Sequence, residues 1–195
     1  YSECSFSSCN FSEADLDSCI FVDCKFDNCN FSNAKVNDCR FQDASFDSCK
    51  LLGVNFSKLS FFLLSMRFDS CEIISCNFSY LKLPGCEFIK CNVKECYFLN
   101  TNLSSSDFSG SDLLLSEFND CNLSKCDFSN ATNYSFDLKK NVVKGAKFSV
   151  PEVMELLRYF EIEIEQFILL ALVAQGKMIL LYRLGIVLLP SNSAI

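Results

Sequence analysis

From Phe6 to Phe148 the chain repeats every five residues, and that period limits what it can fold into. Steps of five from Phe6 reach Phe11, Leu16, Phe21, Phe26, Phe31, Val36, Phe41, Phe46, Leu51, Phe56 and Phe61, all apolar. The frame slips by two near 62–67, resumes at Phe68 and runs to Phe128; Asn133 interrupts it, and Leu138, Val143 and Phe148 restore it. Of 29 repeat centres, Asn133 alone is polar, and 17 of the 21 Phe are centres. All 14 Cys stand two places before a centre. Helices and strands repeat at 3.6 and 2 residues, so neither produces this spacing. A coil with four short sides does, if each side sends one large and one small side chain inward.

Such a coil has 20 residues per turn, which the sequence can test against itself. Every fourth centre, counted across the slip, reads Phe6, Phe26, Phe46, Phe68, Phe88, Phe108, Phe128, Phe148. A second inner wall reads Leu16, Val36, Phe56, Phe78, Phe98, Phe118, Leu138, and a third Phe21, Phe41, Phe61, Leu83, Leu103, Leu123, Val143. Like sizes fall above like, as stacked rings require. The expected fold is an all-β solenoid, a quadrilateral β-helix of about seven coils and roughly 35 Å at one strand spacing per coil.

The pattern Cys/Ala-x-Phe/Leu-x-x over Cys4 to about Ser149 resembles that of the pentapeptide repeat proteins. The resemblance implies a right-handed quadrilateral β-helix. The stretch from Lys144-Gly-Ala-Lys-Phe-Ser-Val-Pro-Glu to Glu165 is similar to the C-terminal end of the quinolone-resistance branch. In that branch a helix caps the solenoid and joins two subunits, and members bind type II topoisomerases as DNA mimics. The organisation expected is therefore a repeat domain over 1–149, slipped near 62–67, and a helix/strand cap and dimerisation segment over 150–195.

The cap can also be read from residues. Ser149 is an N-cap candidate, Pro151 suits the first turn, and Glu152 faces the positive end of the helix dipole. Val153, Met154, Leu156, Leu157 and Phe160 form an apolar helical face, and Ile162 and Ile164 alternate with Glu as in a half-buried strand. An exposed last coil would need such a cover. These seven residues are the expected cap and homodimer contacts. Met178-x-Leu-Leu echoes Met154-x-Leu-Leu, suggesting a second helix–strand unit. The alternative for Phe167–Leu189 is a membrane tether, since its 23 residues exceed the ~20 needed to span. Lys177 and Arg183 would each cost about 2.5–3.5 kcal/mol at the bilayer centre, so an interface is the preferred reading.

The chain has no His, no CxxC and no phosphate-binding loop. An interior filled by Phe leaves no catalytic pocket, so no enzyme activity, metal or cofactor is expected. The Cys slot also takes Ala14, Ala34, Ser106 and Ser111, which marks the thiols as small buried side chains rather than a metal or redox ladder. Persistent free thiols favour a reducing cytoplasm. The chain begins at Tyr1 without Met, which leaves room for an upstream segment. The Asn-Phe-Ser and Asn-Leu-Ser triplets match a glycosylation sequon only because polar residues flank the centres.

What remains for function is the outer surface. Asp27, Asp47 and Asp69 follow a Phe of the eight-Phe wall, and Glu87, Asp107 and Asp127 precede one; neighbouring walls add Asp112 and Glu117. Net charge is −7 overall, but −6 over 1–49, +2 over 50–100, −4 over 101–130 and +3 over 131–149. Acidic excess disfavours direct nucleic-acid binding. Two functions follow. One is a non-enzymatic DNA mimic that occupies a type II topoisomerase (DNA gyrase) through these eight acids and contributes to fluoroquinolone resistance. The other is a structural or adaptor scaffold for a different protein, with the charge serving solubility.

Overall fold

The computed structural model describes residues 1–160 and 162 and the strand segments Ala171–Ala174 and Lys177–Leu180. The chain divides into two compact units, Tyr1–Phe160 and Glu161–Ile195.

The first unit is the expected β-solenoid. Short strands stack in parallel at 20-residue intervals: Ser5–Ser7, Lys25–Asp27, Ala44–Asp47, Met66–Asp69 and Glu87–Ile89 form one five-stranded wall. Their register puts Phe6 against Phe26, then Phe46, Phe68 and Phe88, with the two-residue slip absorbed between the third and fourth. Ring centroids along the eight-Phe column are 5.0, 4.9, 5.0, 5.1, 4.8, 5.2 and 5.2 Å apart. The rings lie nearly parallel, within 18° at most. Phe56, Phe78, Phe98 and Phe118 stack likewise on the next wall at 4.7, 5.1 and 4.6 Å. Edge-to-face contacts such as Phe88–Phe98 (6.1 Å, 89°) join the columns, so the rings from Phe6 to Phe128 are held by both favoured aromatic geometries.

The corners explain the number five. The carbonyl of a centre accepts from the N–H three residues on, as in Phe11–Ala14 (3.1 Å) and Leu123–Cys126 (3.1 Å). The residue two after the centre takes the left-handed region: φ is 59° at Glu13, 60° at Ser18 and 57° at Asn33. That conformation suits Gly, Asn and Asp best, and polar residues fill most corners. The Asn of each Asn-Phe-Ser or Asn-Leu-Ser triplet serves the same turn. Asn30 Oδ1 accepts the Ser32 N–H at 2.9 Å, and Asn77 the Ser79 N–H at 2.9 Å. The triplets are thus local turn locks.

The Cys slot is more polar than a purely apolar filling would be. Cys49 Sγ donates to the Phe26 carbonyl (3.3 Å) and Cys121 Sγ to that of Phe98 (3.1 Å), each on the preceding coil. Ser116 does both jobs, donating to the Val93 carbonyl (2.8 Å) and accepting the Cys96 N–H (3.0 Å). Where Cys, Ser or Thr fills the slot, its donor serves a carbonyl of the preceding coil, while Ala14, Ala34 and Val54 fill it without one. Burial pushes the Cys39 and Cys126 thiols up to about 12 and Cys29 to about 11, so they stay protonated at neutral pH.

Three local expectations are corrected. Phe61 does not join the third wall; it is 63% exposed, with Phe62 and Leu63 beside it. The two extra residues of the slip make a corner bulge, and Leu64 and Met66 pack inward after it. Where Asn133 breaks the frame, Tyr134 and Phe136 turn in, Phe136 meeting Phe118 at 5.4 Å, and Leu138 is only partly buried. The segment expected as an α-helix is a 3₁₀ helix, Glu152–Phe160. Three residues per turn align Val153, Leu156 and Tyr159 on one side. Leu156 is buried and Val153 packs against the core, so the tighter helix turns this row toward the solenoid.

In the second unit, Ala171–Ala174 pairs antiparallel with Lys177–Leu180. A hairpin thus replaces the second helix expected at Met178. The two strands flank Gln175-Gly176, a two-residue spacing with Gly that fits the short-hairpin pattern. Ile164 and most of 167–189 lie outside the described residues. Among the described residues no helix is long and apolar enough to cross a membrane.

Candidate functional site

Strand register splits the expected acidic face in two. Asp27, Asp47 and Asp69 are directly stacked partners, continued by Ser7 on one side and Ile89 on the other. The second column runs Ser5, Lys25, Ser45, Arg67, Glu87, Asp107, Asp127, Lys147, on the other side of the Phe wall. A residue before a centre and one after it both point outward, but one pleat apart. The six acids therefore belong to two different electrostatic environments.

The first column is uncompensated. Among the described residues, Asp27 accepts only from the Ser7 hydroxyl (3.1 Å), Asp47 from Ser48 (2.8 Å) and Asp69 from Ser70 (2.8 Å), and no cation bridges them. Hydroxyls orient these carboxylates without neutralising them. Stacking like charges one strand apart opposes folding mildly.

The second column is largely neutralised. Arg67 pairs with Glu87 at 3.6 Å, and Lys147 with Asp127 at 2.8 Å. The Lys147 ammonium, with help from Ser129, holds the Asp127 carboxyl at about 2. Asp112 meets Lys94 at 2.8 Å and accepts from Asn133 at 2.8 Å. Burial works against its charge, yet these partners keep its carboxyl below the ordinary range. Asp107 accepts the Ser109 N–H at 2.8 Å, serving its own turn. Glu117 is exposed and apart from both columns, at the rim of a groove beside the 3₁₀ helix.

Other carboxylates on the first coils escaped the wall-by-wall reading. Asp15, Asp17, Asp23, Asp38 and Asp43 are all exposed on the first coils. Asn37 donates to both Asp17 oxygens (2.9 and 2.8 Å) and lowers its pKa. The signal for them was already in the −6 over residues 1–49.

The predicted cap and dimer residues also divide. Val153 and Leu156 face the solenoid and Leu157 is half-buried, while Met154, Phe160 and Ile162 are exposed at 40, 37 and 54%. Lys139 lies over the Phe160 ring at 4.8 Å. Among the described residues no three His, Cys, Asp or Glu are placed to hold a metal.

This is a solenoid that offers surface, and its class is defined by that. The pentapeptide repeat region family matches residues 1–78, and pentapeptide repeats match 71–110, 82–119 and 96–132. The chain belongs to the pentapeptide repeat family. Among solved structures it is similar to two trypsin-treated variants of QnrB1, a plasmid-mediated fluoroquinolone resistance protein. Both are 22% identical, with TM-scores of 0.62 and 0.61, covering 84% of this chain and 89% of theirs. At that identity the likeness concerns the fold. No match was found among curated proteins.

Proposed function

We propose that this chain is a non-enzymatic, cytoplasmic DNA mimic that binds a type II topoisomerase through its N-terminal coils. The observation that carries the reading is the uncompensated column Asp27–Asp47–Asp69. Residues 1–49 carry a net −6 over about two and a half coils, or ~12 Å at one strand spacing per coil. That is one charge per ~2 Å, against one per ~1.7 Å for duplex DNA. The likeness in fold to a fluoroquinolone resistance protein supports the choice of partner. Residues 150–195 are assigned as the cap and homodimer segment, with Met154, Phe160 and Ile162 as its exposed contacts.

Inhibition of gyrase supercoiling by the purified protein tests this. The comparison is with Asp27, Asp47 and Asp69 all changed to Lys, and separately with Glu87, Asp107 and Asp127 changed to Lys. Inhibition lost in the first variant and largely kept in the second is the expected result, with wild-type inhibition weakening as salt rises. No inhibition at micromolar protein, or equal loss in both variants, would overturn the assignment and leave an adaptor scaffold.

A further inference from the structure

One of the four walls of the solenoid carries no carboxylate at its outward positions. Its centres are Phe21, Phe41, Leu83, Leu103, Leu123 and Val143, and the residues before and after them hold three charges, Arg40, Lys82 and Lys144. Elsewhere Glu72 and Asp112 stand on one wall, Asp15, Asp17 and Glu117 on another, and the Asp27 and Glu87 columns on the remaining one. In a chain of net charge −7 such a face is the exception. Acids do stand at its edges, but Glu3, Asp23, Asp38 and Asp43 belong to the coils before the slip. From the slip onward the face and its edges carry Lys58, Lys82, Lys125, Lys140 and Lys144 against Asp120. These lysines are exposed, and neither they nor Arg40 form an ion pair among the described residues.

The corner bulge projects from this same face. Phe61, Phe62 and Leu63 are 63, 62 and 56% exposed, the longest run of large apolar side chains in water among the described residues. The Arg40 guanidinium lies 5.5 Å from the centre of the Phe62 ring, so a cation stands beside the knuckle. Lys82, Asn102, Asn122 and Val142 then follow one above another in register. Val142 is again exposed, four coils from the bulge, or about 19 Å at one strand spacing per coil. Polar residues would serve a water-facing bulge at no cost in exposed apolar area, and contiguous apolar exposure of this kind marks a surface that something covers.

We infer that this wall lies against an anionic lipid bilayer, with Phe61, Phe62 and Leu63 set among the headgroups and Arg40, Lys58, Lys82 and Lys144 against lipid phosphates and carboxylates. The face is planar because its strands stack in register, and it joins a projecting apolar knuckle to unpaired cations. A bilayer surface is the complement of both, anionic at the headgroups and apolar just below them. A nucleic acid would meet the lysines but offers nothing to Leu63 and Val142. Neither the Asp27 column nor the topoisomerase assignment enters this surface, and the contact is peripheral, needing no spanning segment.

Co-sedimentation of the full chain with vesicles of phosphatidylcholine, with and without phosphatidylserine, provides the test. Binding is expected on the phosphatidylserine vesicles, about tenfold or more weaker without the anionic lipid, and falling as salt rises. Phe61→Ser with Phe62→Ser should weaken it by about tenfold or more at unchanged melting temperature, since both side chains are exposed. Lys82→Gln and Lys144→Gln should each weaken it by about fivefold. The chain has no Trp, so Phe62→Trp introduces a single indole whose emission should shift to the blue on anionic vesicles and stay unshifted on neutral ones. No binding, equal binding to both vesicle types, or no emission shift would overturn the inference. Full binding by the Phe61→Ser, Phe62→Ser variant would overturn it too, by placing the contact elsewhere on the chain. Release from the vesicles by a short DNA duplex, with the duplex bound as tightly, would reassign the lysines to nucleic acid.

Discussion

The first three coils and the last three share one inner architecture and differ almost entirely outside. Inside, the eight-Phe column keeps its spacing near 5 Å from Phe6 to Phe148. Outside, the early coils stack bare carboxylates at Asp27 and Asp47, whereas the late coils pair Asp127 with Lys147 and Asp112 with Lys94. Backbone hydrogen bonds and ring stacking fix the coil; the outward positions carry charge that the fold barely uses. Stability and recognition are therefore separable in this molecule, because they occupy alternate residues of the same strand.

The largest effect should come from breaking what the two regions share. Phe26→Ala and Phe108→Ala each remove a fully buried ring and should each cost about 3–5 kcal/mol in denaturant unfolding. A clear inequality would mean that the late ion pairs support the core after all. Next is the small slot. Ser116→Ala orphans the Val93 carbonyl and the Cys96 N–H that the hydroxyl serves, costing about 1–3 kcal/mol. Cys49→Ser should cost less, since the hydroxyl keeps the donor.

A smaller and opposite pair of changes sharpens the electrostatic contrast. Changing Asp27, Asp47 and Asp69 to Asn should leave stability unchanged or raise it by up to about 1 kcal/mol, because stacked like charges are relieved. Asp127→Asn should lower it by less than about 1 kcal/mol, as expected for a partly exposed pair. The smallest effect is in pH. The folded Asp127 carboxyl sits at about 2, below its ordinary 3.8. Its contribution should be complete above about pH 4 and vanish as pH falls through about 2, so an acid titration comparing wild type with Asp127→Asn isolates it.

Nearly all of the repeat domain was legible in the sequence, because a period of five with a 20-residue superperiod admits one kind of coil. Legibility failed where the period did. At the slip, Phe61 looked like a centre, but two extra residues swing it outward and Leu64 and Met66 take the interior. At Asn133 the frame shifts to Tyr134, and the groove it lines depends on residues 114–117 and 152–159, far apart in the chain. An aromatic placed directly after the one polar centre was the available signal. The acids themselves were readable, and their offset before or after the Phe already implied two columns. Their pairing was not readable, since it depends on which base lies one coil away.

The parallel register has one more consequence. Each added or deleted coil changes the molecule's length by one strand spacing, about 4.8 Å, and leaves every other coil's neighbours unchanged except at the junction. Length is then quantised and independent of outer sequence, so the solenoid behaves as a ruler. Features on different coils, such as the Asp27 column and the Tyr134 groove, are held at a separation set by the number of coils between them, the 22-residue coil at the slip included.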